Sequence, residues 1–158
     1  LCTPQFVQSV VLHTGMSAMF LPFFIFLIAA FLSFSTGTAW GTFGILIPIV
    51  VPIIVALDPS LTTVALSATL AVFGDHCSPI SDTTILASAG AGCSHIAHVT
   101  TQLPYALTVA ACAAIGYLVA GMTSGSLILS FGAAAGTLVV GLLIFHARSE
   151  RLEPDANL

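Results

Sequence analysis

Between Leu1 and Ala147 there is no lysine or arginine, and only three carboxylates, Asp58, Asp75 and Asp82, interrupt a run of largely apolar residues. A water-facing surface cannot be built from such a chain, because soluble domains carry about a quarter of charged residues and this one carries 5%. Mean hydropathy is +1.12, and apolar segments recur from Met19 nearly to Phe145. Several approach the roughly 20 residues needed to cross about 30 Å of hydrocarbon as a helix. The expected class is therefore an all-α, polytopic membrane protein.

The remaining charge lies at the end. Glu150, Glu153 and Asp155 accompany Arg148 and Arg151 in a short polar tail. No basic patch exists for nucleic acid to bind. The two arginines just beyond the last apolar segment place the C-terminus in the cytoplasm by the positive-inside rule, with the cytoplasmic (inner) membrane as the location. Cys2, Cys77, Cys93 and Cys112 form no close pair and read as small packing residues rather than a disulfide framework. Cys93, His95 and His98 are ligand types suited to zinc, but a closed fourth ligand is missing. Gly116, Gly121, Gly132 and Gly136 fit close helix packing.

Residues 1–18 form a mixed lead-in or the end of a truncated span, and 19–146 the membrane domain. Within it the apolar pattern is broken twice. The first break, Ser33 to Thr42, is rich in hydroxyls and glycine and lies between two runs short for independent spans, which predicts a re-entrant hairpin over 19–57 or, in the plainer reading, a polar turn between two spans. Ser35, Thr36, Gly37, Thr38 and Gly41 form its tip, with neutral oxygens and room for close backbone approach. Asp58-Pro59-Ser60 is a turn signal. The second break, Gly74 to Thr84, divides a helix over 61–89. Full spans follow at 103–122 and 127–145, then the soluble tail 147–158.

The second break carries the chemistry. An aspartate in mid-membrane costs roughly 2.5 to 3.5 kcal/mol, so Asp75 and Asp82 together cost on the order of 5 to 7 if ionised and unpaired. No cationic side chain lies near them. A proton, a bound cation such as Na⁺, or the hydroxyls of Ser78, Ser81, Thr83 and Thr84 can offset that cost. A carboxylate that chooses between a proton and a hard cation is the centre of an exchange reaction. Pro79 holds the helix open and Gly74 supplies freedom beside it, while His76 is the residue type a pH sensor would use.

The segments Gly74 to Leu86 (GDHCSPISDTTIL) and Thr36 to Pro48 (TGTAWGTFGILIP) closely resemble the C-terminal part of the NhaC family of sodium/proton antiporters, in the ion transporter superfamily. The resemblance implies a transporter rather than an enzyme, built from two inverted halves, each with a re-entrant hairpin and a broken helix. This chain would supply one half and need the N-terminal half as partner, with a homodimer allowed. It also implies that Asp75, His76, Ser78, Ser81, Asp82, Thr83 and Thr84 handle Na⁺ and H⁺, with Asp75 and Asp82 as the exchanging carboxylates and Na⁺ ligands. No cofactor beyond the transported ions is expected. The alternative within this fold is a Na⁺- or H⁺-coupled carrier of an organic anion such as lactate or malate. A remoter one is an intramembrane aspartyl protease, whose Gly-x-Gly-Asp signature fails at Val72.

Overall fold

The computed structural model describes residues 17–70 and 73–152, and for 147–152 the backbone alone. The lead-in over residues 1–16 and the end of the tail, 153–158, lie outside the described residues. All regular structure among the described residues is helical. Seven α-helices follow in order: α1 (Leu21–Thr36), α2 (Ala39–Leu57), α3 (Thr62–Thr69), α4 (Phe73–Cys77), α5 (Asp82–Gly90), α6 (His95–Met122) and α7 (Leu127–Leu152). Short 3₁₀ turns precede α1 at Ala18–Phe20 and α3 at Pro59–Leu61.

Among the described residues four helical segments are long and apolar enough to cross a membrane: Ala18–Thr36, Ala39–Leu57, His95–Met122 and Leu127–His146. The first two are longer than their apolar runs. Each is 19 residues, about 28 Å at 1.5 Å per residue, because the hydroxyl residues at the first break remain helical. Ser35 Oγ donates to the Phe31 carbonyl at 2.8 Å, Thr36 Oγ1 to Leu32 at 2.8 Å and Thr42 Oγ1 to Thr38 at 3.0 Å. Side chains that bond back to the preceding turn satisfy themselves inside a helix. The interruption between α1 and α2 thus shrinks to Gly37 and Thr38. Gly37 ends α1 at φ 62°, a left-handed position glycine takes without strain. Extended Thr38 then caps α2, its hydroxyl accepting from the Gly41 N–H at 3.5 Å.

The core forms where helical stripes meet. Leu21, Ile25, Phe26 and Ala29 of α1 recur at helical spacing, as do Leu46, Val50, Ile53 and Ile54 of α2 and Leu61, Ala65 and Ala68 around α3. This is the periodicity that puts one face of each helix inward. Phe26 lies between Phe73 of α4 and Tyr117 of α6, with ring centroids 6.3 and 5.1 Å apart. Aromatic contacts at these separations help fix the short α4 against both long helices. The outward faces are apolar too: Phe31 is 73% and Ile128 87% exposed, as a lipid-facing surface requires.

Glycine packing is divided. A Cβ on Gly116 would stand 2.9 Å from Ala134 Cβ of α7, and one on Gly121 would meet the Met19 carbonyl oxygen. Around Gly132 and Gly136 there is open space, so the expected close contact at that pair is not made within the described residues. The loop before α6 is also shorter than its polarity implies, since His95 and His98 begin the helix. At the other end α7 continues past the apolar run to Leu152.

Candidate functional site

Asp75 is 2% exposed within α4. The chain leaves helical form over Ser78 to Ser81, where Pro79 has no N–H to donate and disfavours the helical conformation of Ser78. Ser81 restarts it, its Oγ accepting from the Thr84 N–H of α5 at 3.4 Å. This turn brings α5 back over Asp75. Ser81 Oγ donates to Asp75 Oδ1 at 2.9 Å and Thr83 Oγ1 to Asp75 Oδ2 at 2.9 Å. The two hydroxyl oxygens are themselves 2.8 Å apart.

Those three groups form a triangle whose hydrogens can be counted. Each hydroxyl supplies one hydrogen. With Asp75 ionised, two hydrogens serve three short oxygen–oxygen contacts, and one contact sets lone pair against lone pair. A proton on Asp75 provides the third hydrogen and closes the ring. A cation bound among the oxygens resolves the same contact differently, by drawing the lone pairs to itself.

The other residues of the second break are placed unequally. Ser78 is fully buried, its N–H donating to the Asp75 carbonyl at 3.1 Å and its Oγ accepting from the Ile80 N–H at 3.4 Å. Thr84 is 2% exposed, and its Oγ1 has no partner among the described residues. His76 is exposed. Asp82 is also exposed, and its Oδ1 accepts from the Thr83 N–H at 2.8 Å. An acid in the first turn of a helix interacts favourably with the unpaired N–H groups there. The two aspartates therefore have distinct partners and distinct burial.

The two breaks meet. A Cβ on Gly37 would lie 2.7 Å from the Ile80 carbonyl oxygen, so the turn between α1 and α2 rests on the turn between α4 and α5. Gly74, expected to loosen the break, stays helical and instead permits close contact. Its missing Cβ would meet the Ala30 carbonyl oxygen and approach the Phe34 nitrogen of α1 at 2.7 Å. The hydroxyls of Ser35 and Thr36 are bonded to their own helix, and Thr38 caps α2. The first break thus contributes backbone proximity, and Gly41 sits against the Thr38 methyl. Ser33, one turn before Gly37, is fully buried and its Oγ is without a partner among the described residues.

One residue escaped its role at the sequence level. His95 Nε2 lies 2.7 Å from the Pro79 carbonyl oxygen and its Nδ1 3.2 Å from Ser88 Oγ, so it fastens the break to α5 and α6. In the sequence it stood with Cys93 and His98 as a set of zinc-type ligands without a closed fourth member. Among the described residues no three His, Cys, Asp or Glu side chains come together as a metal site. The available signal was a histidine in the first turn of the helix that follows the break, within reach of the carbonyls that Pro79 frees.

Residues 2–122 match the Na⁺/H⁺ antiporter family. Similar proteins include one of Haemophilus influenzae strain Rd described as uncharacterized, 50% identical over 140 residues, which is 87% of this chain and 27% of that protein. A second from the same organism is named an uncharacterized Na⁺/H⁺ antiporter, 42% identical over 82 residues, 49% of this chain and 18% of that protein. The malate-2H⁺/Na⁺-lactate antiporter of Bacillus subtilis strain 168 is 37% identical over 101 residues, 63% of this chain and 21% of that protein. The chain spans between 18% and 27% of the length of these relatives. No solved structure matches it.

Proposed function

This chain belongs to the Na⁺/H⁺ antiporter family, and on that premise we propose that it forms part of a secondary transporter exchanging Na⁺ for H⁺ at Asp75. The triangle of Asp75, Ser81 and Thr83 carries the reading, since a proton and a cation each relieve its unpaired contact and the two compete for one place. Ser78 and Thr84 lie at the same break, with His76 and Asp82 on its exposed side. Asp82 acts as an outer oxygen ligand on the way to Asp75. Two carboxylates sharing one proton, as an aspartyl protease needs, are not found among the described residues.

The more specific assignment is an NhaC-type antiporter of the cytoplasmic membrane, with this chain as its C-terminal part. Its residues 19–57 form a re-entrant hairpin, and the N-terminal half completes the site from the opposite side. Inverted repeats of this kind place the ion near the bilayer midplane. The proximity of Gly37 to Ile80 supports that arrangement, because it sets both breaks at one depth.

The test is collapse of a preformed pH gradient on Na⁺ addition in everted vesicles. Asp75→Asn keeps the triangle neutral whatever the pH and is expected to reduce exchange to background. Asp82→Asn should raise the Na⁺ concentration for half-maximal exchange several-fold, on the order of 1 kcal/mol, and leave the maximal rate nearly intact. Retained exchange in Asp75→Asn refutes the assignment.

A second reading follows from the similarity to the malate-2H⁺/Na⁺-lactate antiporter: the same carboxylate couples Na⁺ or H⁺ to an organic anion. Uptake of radiolabelled malate or lactate, measured beside Na⁺ flux without either acid, separates the two.

A further inference from the structure

A cavity of about 170 Å³ opens beside the Asp75 triangle, lined by His76, Thr83, Thr84, Ala87, His98 and Gln102. It draws on α4, α5 and α6, and five of its six lining side chains are polar. Two buried oxygens without a partner among the described residues, Thr84 Oγ1 and Gln102 Oε1, belong to this lining. Leaving such a group unpaired costs about 1 to 3 kcal/mol. A water needs about 10 to 15 Å³ by the same measure of volume, so there is room here for several. His76 and Gln102 also border a neighbouring hollow of about 320 Å³ whose other walls are Phe73, Tyr105, Ala106 and Val109. The polar cavity and this hollow thus share two lining residues.

Its position gives it a direction. Thr83 lines the cavity and also donates from Oγ1 to Asp75 Oδ2 at 2.9 Å. One side chain therefore faces both compartments. We propose that this cavity is a hydrated antechamber for a small monovalent cation, in which Thr84 Oγ1 and Gln102 Oε1 replace part of its water shell before it reaches Asp75, while His76 and His98 wall the chamber. Gln102 Oε1 can only accept and Thr84 Oγ1 accepts once its hydrogen turns away, which together suit a cation and its waters. This inference rests on the cation-exchange reading of Asp75.

The test places a single cysteine at Thr84→Cys or Gln102→Cys, with the native cysteines replaced, in the protein reconstituted into vesicles. A trimethylammonium methanethiosulfonate that cannot cross the bilayer is applied, and thiols still free are counted afterwards with a fluorescent maleimide under denaturing conditions. Both positions are expected to react within about tenfold of Cys93 in a parallel form that keeps only that cysteine, which is exposed in the loop before α6, since access governs thiol modification. Ile128→Cys, on the apolar face of α7, should stay unmodified. Replacing choline by Na⁺ should slow the reaction at 84 and 102, whereas choline malate should not. The second position keeps the test intact if one variant fails to fold. Thiols at both sites as inert as at 128, rates indifferent to Na⁺, or protection by malate alone each overturn the proposal. Failure of the exchange reading shows separately, as exchange retained in Asp75→Asn, whatever the thiols do.

Discussion

At Asp75 the decisive quantity is a number of hydrogens rather than a distance. Hydrogen bonds to a charged acceptor are worth about 1.5 to 3 kcal/mol, and removing one corner of the triangle removes one of them. Thr83→Val, nearly the same in shape but without the hydroxyl, should lower exchange by a factor on the order of 10 to 100 for that energy. Thr83→Ser keeps the oxygen and should remain close to the native rate. Both are read by the same Na⁺-driven loss of the pH gradient. Full exchange in Thr83→Val would remove Thr83 from the site. That Asp75 is buried and Asp82 is not could not be read along the chain, because their neighbours, Gly74 and His76 for one and Ser81 and Thr83 for the other, do not fix burial. The difference comes from α1, which covers Asp75 through the contact at Gly74 and leaves Asp82 exposed.

Among the elements, the breaks themselves were legible because charge and proline at membrane depth have few physical solutions. Their extent was less so. Ser35, Thr36 and Thr42 count as polar on any hydropathy scale, yet each bonds to its own helix, so a ten-residue interruption becomes Gly37 and Thr38. The meeting of Gly37 with Ile80 was not legible either, since it depends on how α1 and α4 pack. Trp40 offers a probe of the result. It is the chain's single tryptophan, 81% exposed and close to the turn. In a form whose only tryptophan is Trp40, its fluorescence should be quenched most by lipids brominated near the middle of their acyl chains. Strongest quenching near the headgroups would mean that α1 and α2 cross the bilayer completely and that the hairpin is not re-entrant.

For the whole molecule, sidedness rests on two positive charges. Arg148 and Arg151 follow the last apolar residues, and near a span such charges stay on the cytoplasmic side. A cysteine at Ser149, in a cysteine-free background, should react with an impermeant maleimide in everted vesicles and stay silent in intact cells; the reverse would invert the orientation. α7 has no buried residue from Leu127 to His146 and packs on α6 at Gly116. Its broad apolar face is available to lipid, to the opposite half or to a second copy.

Among the described residues the broken helix falls into pieces of 8, 5 and 9 residues, and this also bears on the order of assembly at the ribosome. Isolated helices of that length are marginal, and none reaches the roughly 20 residues that cross a bilayer unaided. Asp75 cannot be lodged when its own codon has been read. It must wait for Ser81 and Thr83, for α1 already in place behind Gly74, and for His95 to arrive and close over Pro79. The segment that bears the chemistry thus completes its contacts only after synthesis has reached α6.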